Sequence, residues 1–101
     1  MSYTKYSVTA AGQNAKVLRK KAGAYLKRLR EDKKLTQTEL AKRVDLEYYT
    51  FISQIETGLA RVPPEKIGAF AQALGLSPKA LTKELMRYYD PITYESLFGS
   101  E

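Results

Sequence analysis

Thr50, Ser53 and Gln54 fall at i, i+3 and i+4 within LEYYTFISQIETG, residues 46–58, a stretch that holds no lysine or arginine. Hydroxyls and a carboxamide are neutral donors and acceptors. Their chemistry is recognition by hydrogen bonding. Tyr48 and Tyr49 precede them and add rings as well as hydroxyls. The plain alternative for Thr50 and Gln54 is a solvated polar face. Catalytic chemistry has little to draw on. The 101 residues include no cysteine and no histidine. That excludes disulfides, Cys/His zinc sites, cysteine or serine–histidine nucleophiles and imidazole acid–base work. Glu31 and Asp32 are neighbours on an expected helix, so their carboxylates diverge. No enzyme, cofactor or metal is expected.

Such side chains need elements to position them. NAKVLRKKAGAYLKRLREDKK, residues 14–34, reads as a helix. Leu18, Ala22, Tyr25 and Leu29 form its apolar stripe. Gly23 costs such a helix ~1 kcal/mol, so its regular part is expected to begin near there. Residues 1–12 are polar with scattered tyrosine and threonine and are expected to form an N-terminal arm. Thr36 followed by Glu39 is a capping box that starts a second helix, with Leu40, Ala41 and Val44 inward. Asp45 sits at the turn, where aspartate tolerates a left-handed backbone. A third helix is expected over 48–57, with Tyr48, Phe51, Ile52 and Ile55 turned to the core and Gly58 as its stop. Pro63-Pro64 opens a fourth, carrying Ile67, Phe70, Ala71 and Leu74 inward and ending at Gly75. Ser77 caps a fifth that begins at Pro78, buries Leu81, Leu85 and Tyr88, and stops before Pro91. Nothing alternates as a strand does. The expected fold is all-α, with five helices over residues 13–90 and a C-terminal tail at 91–101.

Hydrophobic residues make up 44% of the chain, enough for one small core. The net charge of +6 is unevenly placed. Residues 1–45 hold 12 Lys/Arg against 4 Asp/Glu, whereas residues 46–101 hold 5 against 7. A basic half beside a mildly acidic half suits a polyanionic partner; a merely soluble basic surface is the bland alternative. No apolar run approaches the ~20 residues of a membrane span. MSYTKYSVTAAGQN lacks the apolar block of a signal peptide. No membrane association is expected, and a cytoplasmic location is.

The second and third helices are joined so tightly that they cannot share a long antiparallel seam. They must cross steeply, as a helix-turn-helix does. The second of the pair then projects and can enter a major groove. AYLKRLREDKKLTQTELAKRV, ISQIETG and PPEKIGAFAQALGLS together resemble the XRE family of Cro and lambda-type repressors, over about 55 residues from Gly23 to Ser77. Two departures stand out. Asp45 occupies a turn position where members usually carry glycine. DLEYYTFISQIE is one residue longer than the usual spacing, which is expected to shift the start of the third helix.

The resemblance implies a lambda-repressor-like domain that binds double-stranded DNA as a sequence-specific transcriptional regulator, a repressor acting on a palindromic operator. Tyr49, Thr50, Ser53 and Gln54 become the base-contacting positions, since base edges offer neutral donors, acceptors and the thymine methyl. Thr36, Gln37, Arg61 and Lys66 become phosphate contacts; capping by itself also accounts for Thr36. Lys42 and Arg43, and the run Arg19, Lys20, Lys21, either track the backbone or form solvated faces. A homodimer is expected, because one module buries little surface. Met86, Tyr89, Ile92, Tyr94, Leu97 and Phe98 are its candidate contacts. The rival reading is an antitoxin or protein-binding adaptor on the same scaffold, with a toxin or antirepressor as partner.

Overall fold

The computed structural model describes the backbone of residues 2–99 and the side chains of residues 14–99. Six α-helices occur among the described residues, and no strand. They are α1 (Ser2–Asp32), α2 (Gln37–Arg43), α3 (Thr50–Thr57), α4 (Ile67–Leu74), α5 (Pro78–Tyr89) and α6 (Pro91–Phe98), with a 3-10 turn at Pro64–Lys66 leading into α4. The stretch expected as an arm has helical backbone continuous with α1 from Ser2. Residues 91–98, expected as a tail, form α6. Pro91 both follows the end of α5 and starts the new helix, because a first-turn position needs no amide hydrogen.

The capping box is present as expected. Thr36 Oγ1 accepts from the Glu39 N–H at 3.0 Å, and Glu39 Oε1 accepts from the Thr36 N–H at 2.8 Å. Hydrogen bonding from the Thr36 N–H, and next from its hydroxyl, holds the Glu39 carboxyl below the usual carboxylate range. Ser77 Oγ caps α5 through the Ala80 N–H.

The helix stops follow one device used four times. At the ends of α1, α2, α3 and α4 a residue in the left-handed conformation is followed by leucine: Lys34-Leu35, Asp45-Leu46, Gly58-Leu59 and Gly75-Leu76. In each, the leucine N–H reaches back five residues, to Arg30, Ala41, Gln54 and Ala71, as in a Schellman turn. Glycine adopts this backbone freely, whereas Lys34 and Asp45, both at φ 58°, carry a Cβ that is crowded there, at a cost of about 1–2 kcal/mol for lysine and less for aspartate. The two strained stops bracket α2.

Phe70, Leu26, Leu40, Ile52, Ile55, Leu81, Leu85 and Val44 are the largest fully buried side chains, each contributing about 1.5–3 kcal/mol. The stripe on α1 is centred differently from the expected one. Ala22 and Leu26 are buried, while Leu18, Tyr25 and Leu29 are half-buried. Gly23 does not mark a helix boundary. It lies buried where α1 crosses the end of α3, and a Cβ there would stand 2.2 Å from the Glu56 carbonyl oxygen. Absence of a side chain lets the two backbones touch.

Tyr48 does not pack in the core; it is 65% exposed. Helix α3 begins at Thr50, two residues later than expected, so Tyr48 precedes the helix and falls off its stripe. Leu46 packs against the core in its place.

Gly23→Ala tests the crossing. Helix propensity alone would favour alanine by ~1 kcal/mol, but the clash is expected to dominate and lower stability by about 1–3 kcal/mol in urea unfolding. A variant as stable as the parent, or more so, would show that α1 and α3 do not approach this closely.

Candidate nucleic-acid interface

Helix α3 is fixed at one end. Ile52, Ile55 and Glu56 are buried. Gly58 abuts the backbone of Lys20, and its carbonyl accepts from Arg19 Nε at 3.2 Å. The first turn is held only by the apolar packing of Phe51 and Ile52, without a polar anchor. Tyr49 precedes it without a side-chain cap.

A four-way junction provides most of the anchoring. Arg30 of α1 donates to both carboxylate oxygens of Glu56, through Nε at 2.7 Å and Nη2 at 3.1 Å. Its Nη1 donates to the Leu35 carbonyl at 2.7 Å. Gln37 Nε2, at the start of α2, donates to Glu56 Oε1 at 3.0 Å. One buried carboxylate therefore holds α1, α2 and α3 together. The hydrogen bond and charge of Glu56 push the Arg30 guanidinium further above its ordinary range, against a smaller opposing effect of burial.

The neutral face lies opposite these anchors. Thr50 and Gln54 are exposed one helical turn apart, Tyr49 is 52% exposed beside them, and Ser53 is half-buried. The structure thus brings the four expected base-contacting residues onto the free end and outer flank of one short helix. Phe51 packs partly against the core, as expected.

The expected phosphate contacts are more varied. Thr36 serves as the cap of α2. Gln37 uses one amide hydrogen on Glu56, leaving the other. Arg61 pairs with Asp90 at 2.6 Å and lies 4.7 Å from the centre of the Tyr89 ring. Lys66 donates to the carbonyls of Val44 and Asp45, at 3.0 and 3.1 Å. Lys42 and Arg43 are exposed.

The candidate dimer residues divide into two groups. Ile92, Leu97 and Phe98 of α6 are 83%, 60% and 38% exposed. Tyr94 packs against Phe98 with the rings tilted and their centres 5.1 Å apart. Met86 is half-buried. Tyr89 turns inward, its hydroxyl accepting from the Val62 N–H at 3.3 Å, and burial pushes its phenol up.

Sequence reasoning missed Arg30 and Glu56. A signal existed. Glu56 follows Ile52 and Ile55 at helical spacing, on the stripe that the apolar residues define, and Arg30 stands four residues after the buried Leu26. Opposite charges on two inward stripes identify a buried pair.

The chain is similar to the helix-turn-helix domain family, whose sequence profile matches residues 21–85. No curated protein matches it. The matched span contains the four-way junction and the exposed flank of α3.

Glu56→Ala should cost about 3–5 kcal/mol, because it leaves a buried guanidinium without its counter-charge. Chemical unfolding measures this. A loss below about 1 kcal/mol would show that water solvates Arg30.

Proposed function

Because the chain belongs to the XRE-like family of helix-turn-helix DNA-binding domains, we propose that it is a sequence-specific transcriptional regulator, acting as a repressor. Helix α3 enters the major groove with Tyr49, Thr50, Ser53 and Gln54 toward the bases. One observation carries this reading: Thr50 and Gln54 stand exposed on an uncharged flank while the far end of the same helix is locked to the body. A carboxamide can pair with the edge of adenine, and a threonine can touch a thymine methyl.

Phosphate contacts then supply affinity without sequence information. Residues 46–60 contain no cation, so that attraction comes from elsewhere in the chain. Arg61 is available despite its partner. It and Asp90 are 50% and 48% exposed, and an ion pair this open is worth about 0–1 kcal/mol. A phosphate can displace it. Gln37 and Thr36 complete the backbone contacts.

Two copies reading symmetric half-sites is the arrangement we favour. The apolar side chains of α6, above all Ile92 and Leu97, supply the contact. The competing reading, a protein-binding adaptor or antitoxin, is favoured by Tyr48 and by Leu59, which is 77% exposed. They lie before and after α3, and aromatic residues are enriched at protein interfaces. Stoichiometric co-purification of a partner would support it.

Titrations against a duplex selected from random DNA, and against an unrelated one, test the assignment. Gln54→Ala should weaken the selected site by about 1–3 kcal/mol and spare the unrelated duplex; equal losses would mean that Gln54 does not read bases. Arg61→Ala should weaken both and reduce the salt slope by about 0.9. An unchanged slope would remove Arg61 from the phosphate contacts. In sedimentation, Leu97→Asp should shift the protein toward monomer, and a variant that self-associates like the parent would place the interface elsewhere.

A further inference from the structure

The bend between α2 and α3 is the joint of the motif. Helix-terminal carbonyls lack intrahelical partners. Here the chain also passes through Asp45 in a conformation its Cβ disfavours, at φ 58°. Lys66, in the turn leading into α4, brings its ammonium within 3.0 Å of the Val44 oxygen and 3.1 Å of the Asp45 oxygen. A cation is well matched to the negative end of a helix.

We propose that Lys66 is a positioning residue: it clamps the joint between α2 and α3 and thereby sets the angle at which α3 meets its target. This rests on the DNA-reading function proposed above and refines it. Lys66 has a firm base. Pro63 precedes its turn and Pro64 opens it, and the Lys66 N–H donates to the Pro63 carbonyl at 2.9 Å. Ile67 follows and packs against the core. The clamp therefore ties the joint to α4, an element distinct from the pair it controls. Its two bonds reach the carbonyl of the strained residue and that of its predecessor. The same lysine read from sequence alone is a phosphate contact, and the two roles differ in their salt dependence.

Lys66→Met keeps most of the stem and removes the donors. In the full chain without DNA, the amides of Asp45 and Leu46 should exchange faster while those in the middle of α5 keep their rates. Affinity for the selected duplex should fall roughly 2- to 30-fold. Affinity for an unrelated duplex and the salt slope should not change. Lys66→Arg, which retains donors, should recover much of the loss. In an Asp45→Gly background, where the turn carries no such strain, Lys66→Met should accelerate exchange less. Unaltered exchange at the joint would overturn the clamp. So would equal losses on both duplexes with a flatter salt slope, which would make Lys66 a phosphate contact. If the parent protein binds neither duplex, the DNA-reading function fails and the angular role with it; the exchange measurement still reports on the clamp by itself.

Discussion

The buried carboxylate of Glu56 is the constraint on which the arrangement of the first three helices depends. It accepts two bonds from Arg30 and one from Gln37, and Arg30 spends its remaining reach on the Leu35 carbonyl. A charge taken out of water is tolerated only when paired and hydrogen-bonded in this way. The geometry is therefore demanding. Small displacements of α1, α2 or α3 would leave one of the partners unsatisfied. Apolar packing draws the helices together without specifying direction; the bidentate pair adds direction. Gly23, which lets α1 lie against the backbone of Ile55 and Glu56, makes that short reach possible.

Much of this architecture was legible. The capping box at Thr36, the Ser77 cap, and the glycine stops of α3 and α4 are local signals, and each operates as local chemistry requires. The buried faces of α2, α4 and α5 follow from spacing. What the sequence concealed depends on tertiary contact. Gly23 carries a propensity penalty in isolation and becomes a contact surface only when α3 lies against it. Helical spacing turns Tyr48 inward only for a helix that starts at residue 48, and α3 starts at Thr50. Pro91 signals a stop, yet proline both ends one helix and suits the first turn of another, and here it opens α6.

The candidate site divides along the same line. Thr50 and Gln54 could be placed outward from helical spacing alone, and they lie there. The internal partners of Gln37, Arg61 and Lys66 could not be foreseen, because Glu56, Asp90 and the Val44 and Asp45 carbonyls are distant in sequence. A long polar side chain read as free for a ligand is often already engaged. The charge asymmetry fits this division. The exposed flank of α3 carries the neutral side chains Thr50 and Gln54, and cations concentrate in the first 45 residues, where, on the proposed function, they would supply attraction that ignores sequence.

Helix α3 is only 8 residues long, ended by the left-handed Gly58. At 1.5 Å per residue it extends about 12 Å, against a spacing of about 3.4 Å between successive nucleotides of a strand. One such rod can span about four letters of text. A word that short recurs everywhere among the ~10⁶ or more rival sites of a genome. A single copy is thus informationally poor however well its side chains fit. On the proposed function, addressing one locus would take several words spelled at once, at a fixed distance, by bodies held in register.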